Sequence, residues 1–322
     1  MPWKESVVAF ACVAVAAGCS QSAETDDRAA AAQIKQATPA TLVNAPVYLC
    51  PMDKDIRSHA PGSCPRCGMK LVTSVPDPVE YHLEMAVTPT PAPNTPVHVR
   101  FEVFDPWKDN PVTKFNLVHE KLFHAFAVSR DLEFFTHGHP TWDGGAFEWD
   151  VAFPKPGMYR ILADFYPEAS APQLLTKTVF VAGDEPPVRP LARDYDAKQG
   201  ENVSVQVSTQ PEHPVAGMPA RVRITVSPDE GLQKYLGVWA HMLAASDDLI
   251  DLMHNHPSIA DGSSEMQFNM LFPRARVYRL WVQLQRHGVV NTVHFDVPVA
   301  ADAAPPVASN RSADVRVSHH AG

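Results

Sequence analysis

The chain has 322 residues, including 31 prolines, 15 histidines and five cysteines, and its formal net charge is −9. This length predicts several modules, and 20% charged with 45% hydrophobic residues excludes a wholly disordered, collagen-like or multi-span membrane protein. The acidic balance argues against nucleic acid as a partner, and so few cysteines exclude a disulfide scaffold.

The N-terminal segment has the pattern of an export signal. Lys4 precedes an apolar stretch, Val7 to Gly18, that is too short to span a bilayer. The stretch ends in Ala-Ala-Gly before Cys19 and resembles a bacterial lipobox, which implies that Cys19 is lipidated and anchors the protein in the cell envelope, facing the periplasm. By resemblance to other lipoproteins, Ser20 after the cysteine implies the outer membrane. Secretion with cleavage elsewhere is the alternative. We expect a signal peptide at 1–18 and a flexible tether at 19–45.

The remaining cysteines fall in one short module, residues 46–72. Cys64 and Cys67 stand in a Cys-Pro-Arg-Cys-Gly sequence, and two thiolates at this spacing can chelate one ion. Gly68 allows the tight turn that follows, and Cys50 can supply a third thiolate from a facing turn. Soft sulfur ligands favour Cu(I), Ag(I) or Zn(II).

This module resembles the heavy-metal-binding domain of copper and silver efflux proteins. The matching residues are Tyr48, Cys50, Pro51, Met52, Pro61, Gly62, Cys64, Pro65, Cys67, Gly68, Met69 and Leu71. The resemblance implies a role in copper or silver handling. The chain departs from the family pattern at Asp53-Lys54, where the family has His-Pro, so a histidine ligand is lost. Weaker candidate ligands beside the thiolates are Met52, Met69, Asp53 and His59. A Cys64–Cys67 disulfide is the alternative, because exported compartments are oxidising.

The rest of the chain repeats itself. Three histidines and a proline recur 117 positions apart: His124, His137, His139 and Pro140 match His241, His254, His256 and Pro257. An internal repeat indicates shared architecture. We therefore expect two copies of one domain, at 79–183 and 201–298, joined by a linker at 184–200 and followed by a disordered tail at 299–322.

Each copy is predicted to consist of β-strands. The strands expected from alternation and turn residues are Val97–Phe104, Ala146–Phe153, Met158–Tyr166 and Leu174–Val181, then Ala220–Val226, Glu265–Phe272, Val277–Gln285 and Val290–Val297. The short segment Leu232–Leu236 is the only helix candidate. The predicted fold class is mainly β, a small Cys-rich metal-knuckle module followed by two tandem Ig-like β-sandwich repeats.

The histidine spacing predicts a metal site in each copy. A two-residue hairpin loop at Arg130-Asp131 would place His124 opposite His137, with His139 on the same face. An equivalent loop at Asp247-Asp248 would do the same in the second copy, for His241, His254 and His256. Three imidazoles suit Cu(II), Zn(II) or Ni(II). Glu120 could complete the first site, whereas the matching position in the second copy is Gly237.

The alternative is that these histidines hydrogen-bond one another as a structural feature of the fold. The region also resembles a family of exported, mostly uncharacterised bacterial proteins with a duplicated His…HxHP module. The residues that carry this resemblance include His119-Glu120-Lys121, Tyr235-Leu236-Gly237 and Phe153-Pro154. This resemblance implies a fold and an exported location rather than an activity.

The leading interpretation is a lipid-anchored metal-binding protein of periplasmic copper or silver handling or efflux, with zinc as a further candidate ion. Its expected partners are the metal ion, the membrane through the lipid, and a metal efflux system. We do not expect an enzyme. The alternatives are a metal-dependent enzyme that uses a three-histidine site, with Glu120 as general base, and a non-catalytic docking scaffold of an efflux assembly. The chain lacks the heptads of a full efflux adaptor.

Overall fold

The computed structural model describes residues 47–74 and 79–302. All regular elements in these two ranges are β-strands or isolated bridges, so the mainly β fold class is confirmed. Nothing helical in the described part is long and apolar enough to cross a membrane. The expected signal peptide, the lipidation of Cys19 and the tether lie outside the described residues, as does nearly all of the expected tail.

The cysteine module is a three-stranded antiparallel sheet with a small core. Its strands are β1 (Val47–Leu49), β2 (Arg57–Ser58) and β3 (Val72–Ser74), in the order β2-β1-β3. Cys50, Cys64 and Leu71 form the buried centre. The thiol groups are therefore part of the packing that holds this small sheet together.

The first repeat is a sandwich of two four-stranded antiparallel sheets. One sheet has the order β4-β5-β9-β8 and the other β11-β10-β6-β7. The strands are β4 (His82–Thr88), β5 (Pro96–Phe104), β6 (Phe123–Ser129), β7 (Phe135–Gly138), β8 (Thr141–Trp142), β9 (Phe147–Ala152), β10 (Gly157–Phe165) and β11 (Gln173–Val181). The two inner faces enclose an aromatic core that includes Phe101, Phe123, Phe147 and Tyr159.

The second repeat has the same plan. One sheet has the order β12-β13-β14-β18, and in the other β19 pairs with β15, β16 and β20, while β17 pairs with β16. The strands are β12 (Lys198–Gln199), β13 (Ser204–Gln210), β14 (Pro219–Ser227), β15 (Leu232–Gln233), β16 (His241–Ser246), β17 (Leu252–Asn255), β18 (Glu265–Leu271), β19 (Val277–Arg286) and β20 (Val289–Pro298). The helix candidate Leu232–Leu236 is not helical: this segment begins as the edge strand β15 and then turns at Leu236, which has a positive φ of 52°.

The hairpin that carries the histidines has a longer loop than the spacing predicted. Val128 pairs with Phe135, and Phe126, not His124, lies opposite His137. The chain turns through four residues instead of two: the Leu132 N–H donates to Ser129 O at 2.9 Å, and Leu132 takes a positive φ of 59°. Arg-Asp lacks the conformational freedom that a two-residue hairpin turn requires, so the predicted register is wrong by two positions. A shift of two keeps each side chain on its face, and the histidines remain on one surface.

The two repeats pack against each other through the outer faces of β6 and β16. Both strands are buried on both faces. The inter-repeat core consists of Phe126, Val128, Leu132, Leu162, Leu243, Ala245, Leu249, Leu252 and Trp281. Phe135 stacks on Trp281 with ring centroids 5.1 Å apart, and Arg279 donates to Leu132 O at 2.9 Å. The histidines therefore lie on the faces that join the repeats, not in the core of either sandwich.

Candidate metal centres

The cysteine module brings four ligand atoms together. The Sγ atoms of Cys50, Cys64 and Cys67 and a carboxylate oxygen of Asp53 all lie within 4.8 Å of one another. The Cys50 and Cys67 sulfurs are 3.5 Å apart, and Asp53 Oδ2 is 3.5 Å from Cys64 Sγ. Sulfur atoms bound to one tetrahedral ion at 2.3 Å are about 3.8 Å apart, so the cluster has the dimensions of a metal site.

Backbone geometry holds the sulfurs in place. The N–H of Asp53 donates to Cys50 Sγ at 3.2 Å, and the N–H of Cys67 donates to Cys64 Sγ at 3.5 Å. Gly68 closes the knuckle with a φ of 76°, a conformation that glycine adopts without strain. The local sequence therefore fixes the spacing of the thiols before any ion binds.

Asp53 stands at the position where the resemblance led us to expect histidine, and the structure places it in the cluster. Its Oδ1 accepts from Arg66 at 2.9 Å and from Lys108 of the first repeat at 2.5 Å. These two cations lower the pKa of Asp53 well below its usual range. The carboxylate is therefore ionised, with Oδ2 directed at the sulfurs.

The thiols differ in acidity. Burial raises the pKa of Cys50, but the N–H groups of Asp53 and Met52 outweigh it, and the net change is a lowering. For Cys67, a bond from the Met69 backbone lowers the pKa, while burial and the neighbouring thiols raise it to about 12. An incoming ion must displace the proton of Cys67, so metal binding here should weaken in acid.

The other candidate ligands of the module are two exposed methionines and a histidine that contacts the first repeat. Met52 and Met69 are exposed, at 63% and 44%. His59 accepts a hydrogen bond from the Ala169 N–H at 3.3 Å, so it joins the module to the first repeat. Arg57 strengthens the same junction with hydrogen bonds to Ala169 O and Ser170 Oγ, both 3.4 Å, and its guanidinium lies 4.1 Å from the Trp107 ring centroid.

Arg57→Ala should loosen the docking of the module. The loss of the cation–π contact and the two weak hydrogen bonds that cross the junction should cost about 1–2 kcal/mol. We expect hydrogen exchange at the Cys50 and Leu71 amides, both hydrogen-bonded within the module, to accelerate roughly 5- to 30-fold. Arg193→Ala is the matched control, because Arg193 makes a similar 4.0 Å contact with Tyr195 in the second half of the chain. Equal exchange in the two variants would contradict this role of Arg57.

Each repeat brings its three histidines together. In the first, ligand nitrogens of His124, His137 and His139 lie within 4.8 Å of one another, and His124 Nδ1 is 3.1 Å from His137 Nε2. In the second repeat the corresponding group is His241, His254 and His256. His241 Nδ1 is 3.3 Å from His254 Nε2 and 3.1 Å from His256 Nε2. The two groups are called here the first and the second triplet.

A tight turn before each triplet sets the orientation of its most buried member. His124 Nε2 lies 2.9 Å from Val118 O, and His241 Nε2 lies 3.0 Å from Tyr235 O. A carbonyl oxygen only accepts, so Nε2 carries the proton in both rings. This leaves Nδ1 of His124 and of His241 with a free lone pair that faces the other histidines.

Burial keeps most of these imidazoles neutral. It lowers the pKa of His124 and of His139 to about 4 and that of His241 to about 2, and the neighbouring imidazoles add to the effect. The pKa values of His137 and His256 are also lowered, with burial as the main cause. Neutral imidazole is the form that binds metal ions.

Glu120 does not join the first triplet. Its Oε1 lies 3.6 Å from the position that a Cβ atom would take at Gly237, the matching turn of the second repeat. The sequence reasoning also missed three residues beside the triplets. His119 lies against His256 with ring centroids 3.8 Å apart and ring planes tilted by 43°. Asp164 and Gln283 hydrogen-bond to histidines of the opposite repeat. A signal was available only for His119, which precedes Glu120 in the His-Glu-Lys segment before the first triplet.

Comparison with protein-family models gives two matches. A model described as a heavy metal binding domain matches residues 47–73, so this module is a metal-binding domain. A model described as a domain of unknown function, DUF8832, matches twice, at 74–182 and 198–301. No curated relative matches the chain.

Similarities to solved structures are distant. An activated α-2-macroglobulin from Escherichia coli is 10% identical, with a TM-score of 0.24, and the match covers 70% of this chain and 24% of that one. A two-domain fibronectin type III segment of chicken tenascin is 9% identical, with a TM-score of 0.21, and the match covers 67% of this chain and 98% of that one. The chain thus spans about a quarter of the α-2-macroglobulin.

Proposed function

We propose a function for this chain, which belongs to the DUF8832 family of unknown function and also carries a heavy metal binding domain. The proposed function is that of an exported, lipid-anchored protein that binds copper or silver ions in metal handling or efflux at the cell envelope. The N-terminal lipobox-like sequence supports the anchor at Cys19. The tether would let the metal-binding modules reach partners of an efflux system. Zn(II) is the alternative ion for the thiols, and Cu(II) or Zn(II) for the imidazoles.

The observation that carries this proposal is the thiol cluster. Three sulfurs and one ionised carboxylate converge in a turn that backbone hydrogen bonds hold in place. Thiolate ligands select soft ions over hard ones, and a buried site of this kind holds its ion by coordination rather than by net charge. The proposed role is therefore capture and transfer of an ion, not catalysis.

A Cu(I) competition titration tests this proposal. Wild type should bind one Cu(I) or Ag(I) at the module, and Cys64→Ser should weaken binding by about a hundredfold. Structural Zn(II) sites have apparent binding free energies of about 10–16 kcal/mol. A comparable free energy shared by four ligands corresponds to roughly 3 kcal/mol for each ligand. Cys50→Ser and Cys67→Ser should behave alike.

The control variants are Met52→Leu and Met69→Leu, which remove the exposed thioethers and should leave the affinity unchanged. Unaltered Cu(I) stoichiometry and affinity in all three cysteine variants would overturn the proposal. The envelope part is tested separately by fractionation of cells that express Cys19→Ser, which should release the protein from the membrane fraction.

A further inference from the structure

The two triplets lie directly against each other across the interface between the repeats. Between the triplets, the ring centroid of His241 is 5.4 Å from that of His137 and 6.1 Å from that of His124. Within the triplets, His124 and His137 are 5.3 Å apart, and His241 and His254 are 5.6 Å apart. Because the rings of the two triplets are only slightly farther apart than the rings within each triplet, the six imidazoles form one cluster.

Each repeat orients a histidine of the other. Asp164 lies beside His124 in the sheet of the first repeat, and its Oδ2 is 2.6 Å from Nδ1 of His254. Gln283 occupies the matching position beside His241, and its Oε1 is 2.9 Å from Nδ1 of His137. Such outer partners fix the tautomer and orientation of histidines that bind metals. The crossed arrangement means that neither triplet is fully supported without the opposite repeat.

Two ring nitrogens of the second triplet face each other at a spacing that suits a metal ion. The Asp164 carboxylate and the Tyr235 carbonyl only accept, so His254 Nδ1 and His241 Nε2 carry protons. The nitrogens that face each other are His254 Nε2 and His241 Nδ1, 3.3 Å apart. Two nitrogens at roughly 2.0–2.1 Å from one tetrahedral ion are separated by about 3.3 Å. A metal ion bound by both nitrogens therefore fits the observed distance.

We propose that the six histidines form a single two-metal centre, with one divalent transition-metal ion in each triplet. Cu(II) is the preferred ion, because imidazole ligands suit it and it stands highest among the divalent first-row metals in affinity. This centre is distinct from the thiol cluster, and it stands whether or not the cysteines bind Cu(I).

The turn at Val118–Lys121 closes the centre. His119 and Glu120 have positive φ values of 48° and 65°, a strained conformation for two consecutive residues that are not glycine. The turn places the His119 ring against that of His256 and supplies the carbonyl that orients His124. The strained turn therefore positions side chains of both repeats around the proposed ions.

Cu(II) titration followed by EPR spectroscopy tests the centre. The protein used is the variant C50S/C64S/C67S, in which no module thiol can bind or reduce copper. We expect two Cu(II) ions per chain. At one equivalent the signal should be that of an isolated Cu(II) with nitrogen ligands. At two equivalents dipolar coupling should broaden it, because ions bound to rings this close lie within about 12 Å of each other.

Two variants at the edge of the cluster separate the possible results. His139→Ala and His256→Ala in the same background should each bind one Cu(II) tightly and show an uncoupled spectrum, and the double variant should bind neither ion tightly. Circular dichroism verifies that each variant is folded. If the parent variant bound only one Cu(II) and both single variants lost it, the two-metal assignment would be overturned in favour of one shared site. Two ions without coupling would overturn the single centre, and absence of Cu(II) binding would overturn both.

Discussion

Between pH 6.5 and pH 4 the metal-free protein should lose at least about 3 kcal/mol of its free energy of unfolding. The cause is the buried histidine cluster. Burial lowers the pKa of His124 to about 4, whereas an unfolded histidine has a pKa of about 6.5. A difference of this size corresponds to about 3 kcal/mol for His124 alone.

The sign follows from proton binding in the two states. Between pH 4 and pH 6.5 the unfolded chain binds protons that the folded cluster does not bind. The free energy of unfolding therefore decreases as the pH falls. The stabilisation is complete above pH 6.5 and is lost progressively down to pH 4. His119 and His139, whose pKa values burial also lowers to about 4, act in the same direction. Carboxylates with lowered pKa values, such as Asp143 and Asp248, lose their contribution only below this window.

Urea unfolding at several pH values measures this effect. His139→Ala should reduce the loss between pH 6.5 and pH 4, because one buried imidazole no longer titrates. His98→Gln is the control: His98 is partly exposed, and Asp150 and Glu148 raise its pKa. Its contribution is present at low pH and fades as the pH rises, so its removal should not reduce the loss in acid. A stability that stays flat from pH 6.5 to pH 4.5 would refute the assignment of this loss to the cluster.

The strands and the presence of two matching repeats could be predicted from the sequence, because both depend on local patterns. The predicted Val97–Phe104 and Ala220–Val226 correspond to β5 (Pro96–Phe104) and β14 (Pro219–Ser227). Side chains in each alternate between the core and solvent, which is the pattern that a half-buried strand requires. The cysteine module was recognisable because the Cys-Pro-Arg-Cys-Gly sequence and the residues around it resemble the heavy-metal-binding domain.

The association of the two triplets was not predicted because it depends on packing between domains. One signal was present: the segments around His124 and His241 are apolar on both faces, which is typical of strands covered by a layer on each side. Sequence spacing cannot show which surface covers the second face, nor that Asp164 and Gln283 cross to the other repeat. The two-residue error at Arg130-Asp131 was harmless to the site because the side-chain period of a strand is two.

Asp164→Asn should weaken metal binding by the second triplet about tenfold to a hundredfold. Asp164 accepts the His254 Nδ1–H at 2.6 Å, and a carboxylate in this position makes the imidazole a stronger base toward the metal. Asparagine keeps the size and the accepting oxygen but removes the charge. The substitution therefore changes the electronic support of His254 with little change in packing.

Gln283→Glu is the reciprocal change, and it should strengthen the first triplet because it gives His137 the carboxylate that His254 already has. Competition titrations with Cu(II) should use single-triplet backgrounds, with His139→Ala beside Asp164→Asn and His256→Ala beside Gln283→Glu. Asp150→Asn is the matched control, since Asp150 pairs with His98 at 2.8 Å outside the centre. Affinities that are equal before and after both changes would show that the crossed acceptors do not tune the metal. Opposite shifts would show that each repeat sets the affinity of the site on the other.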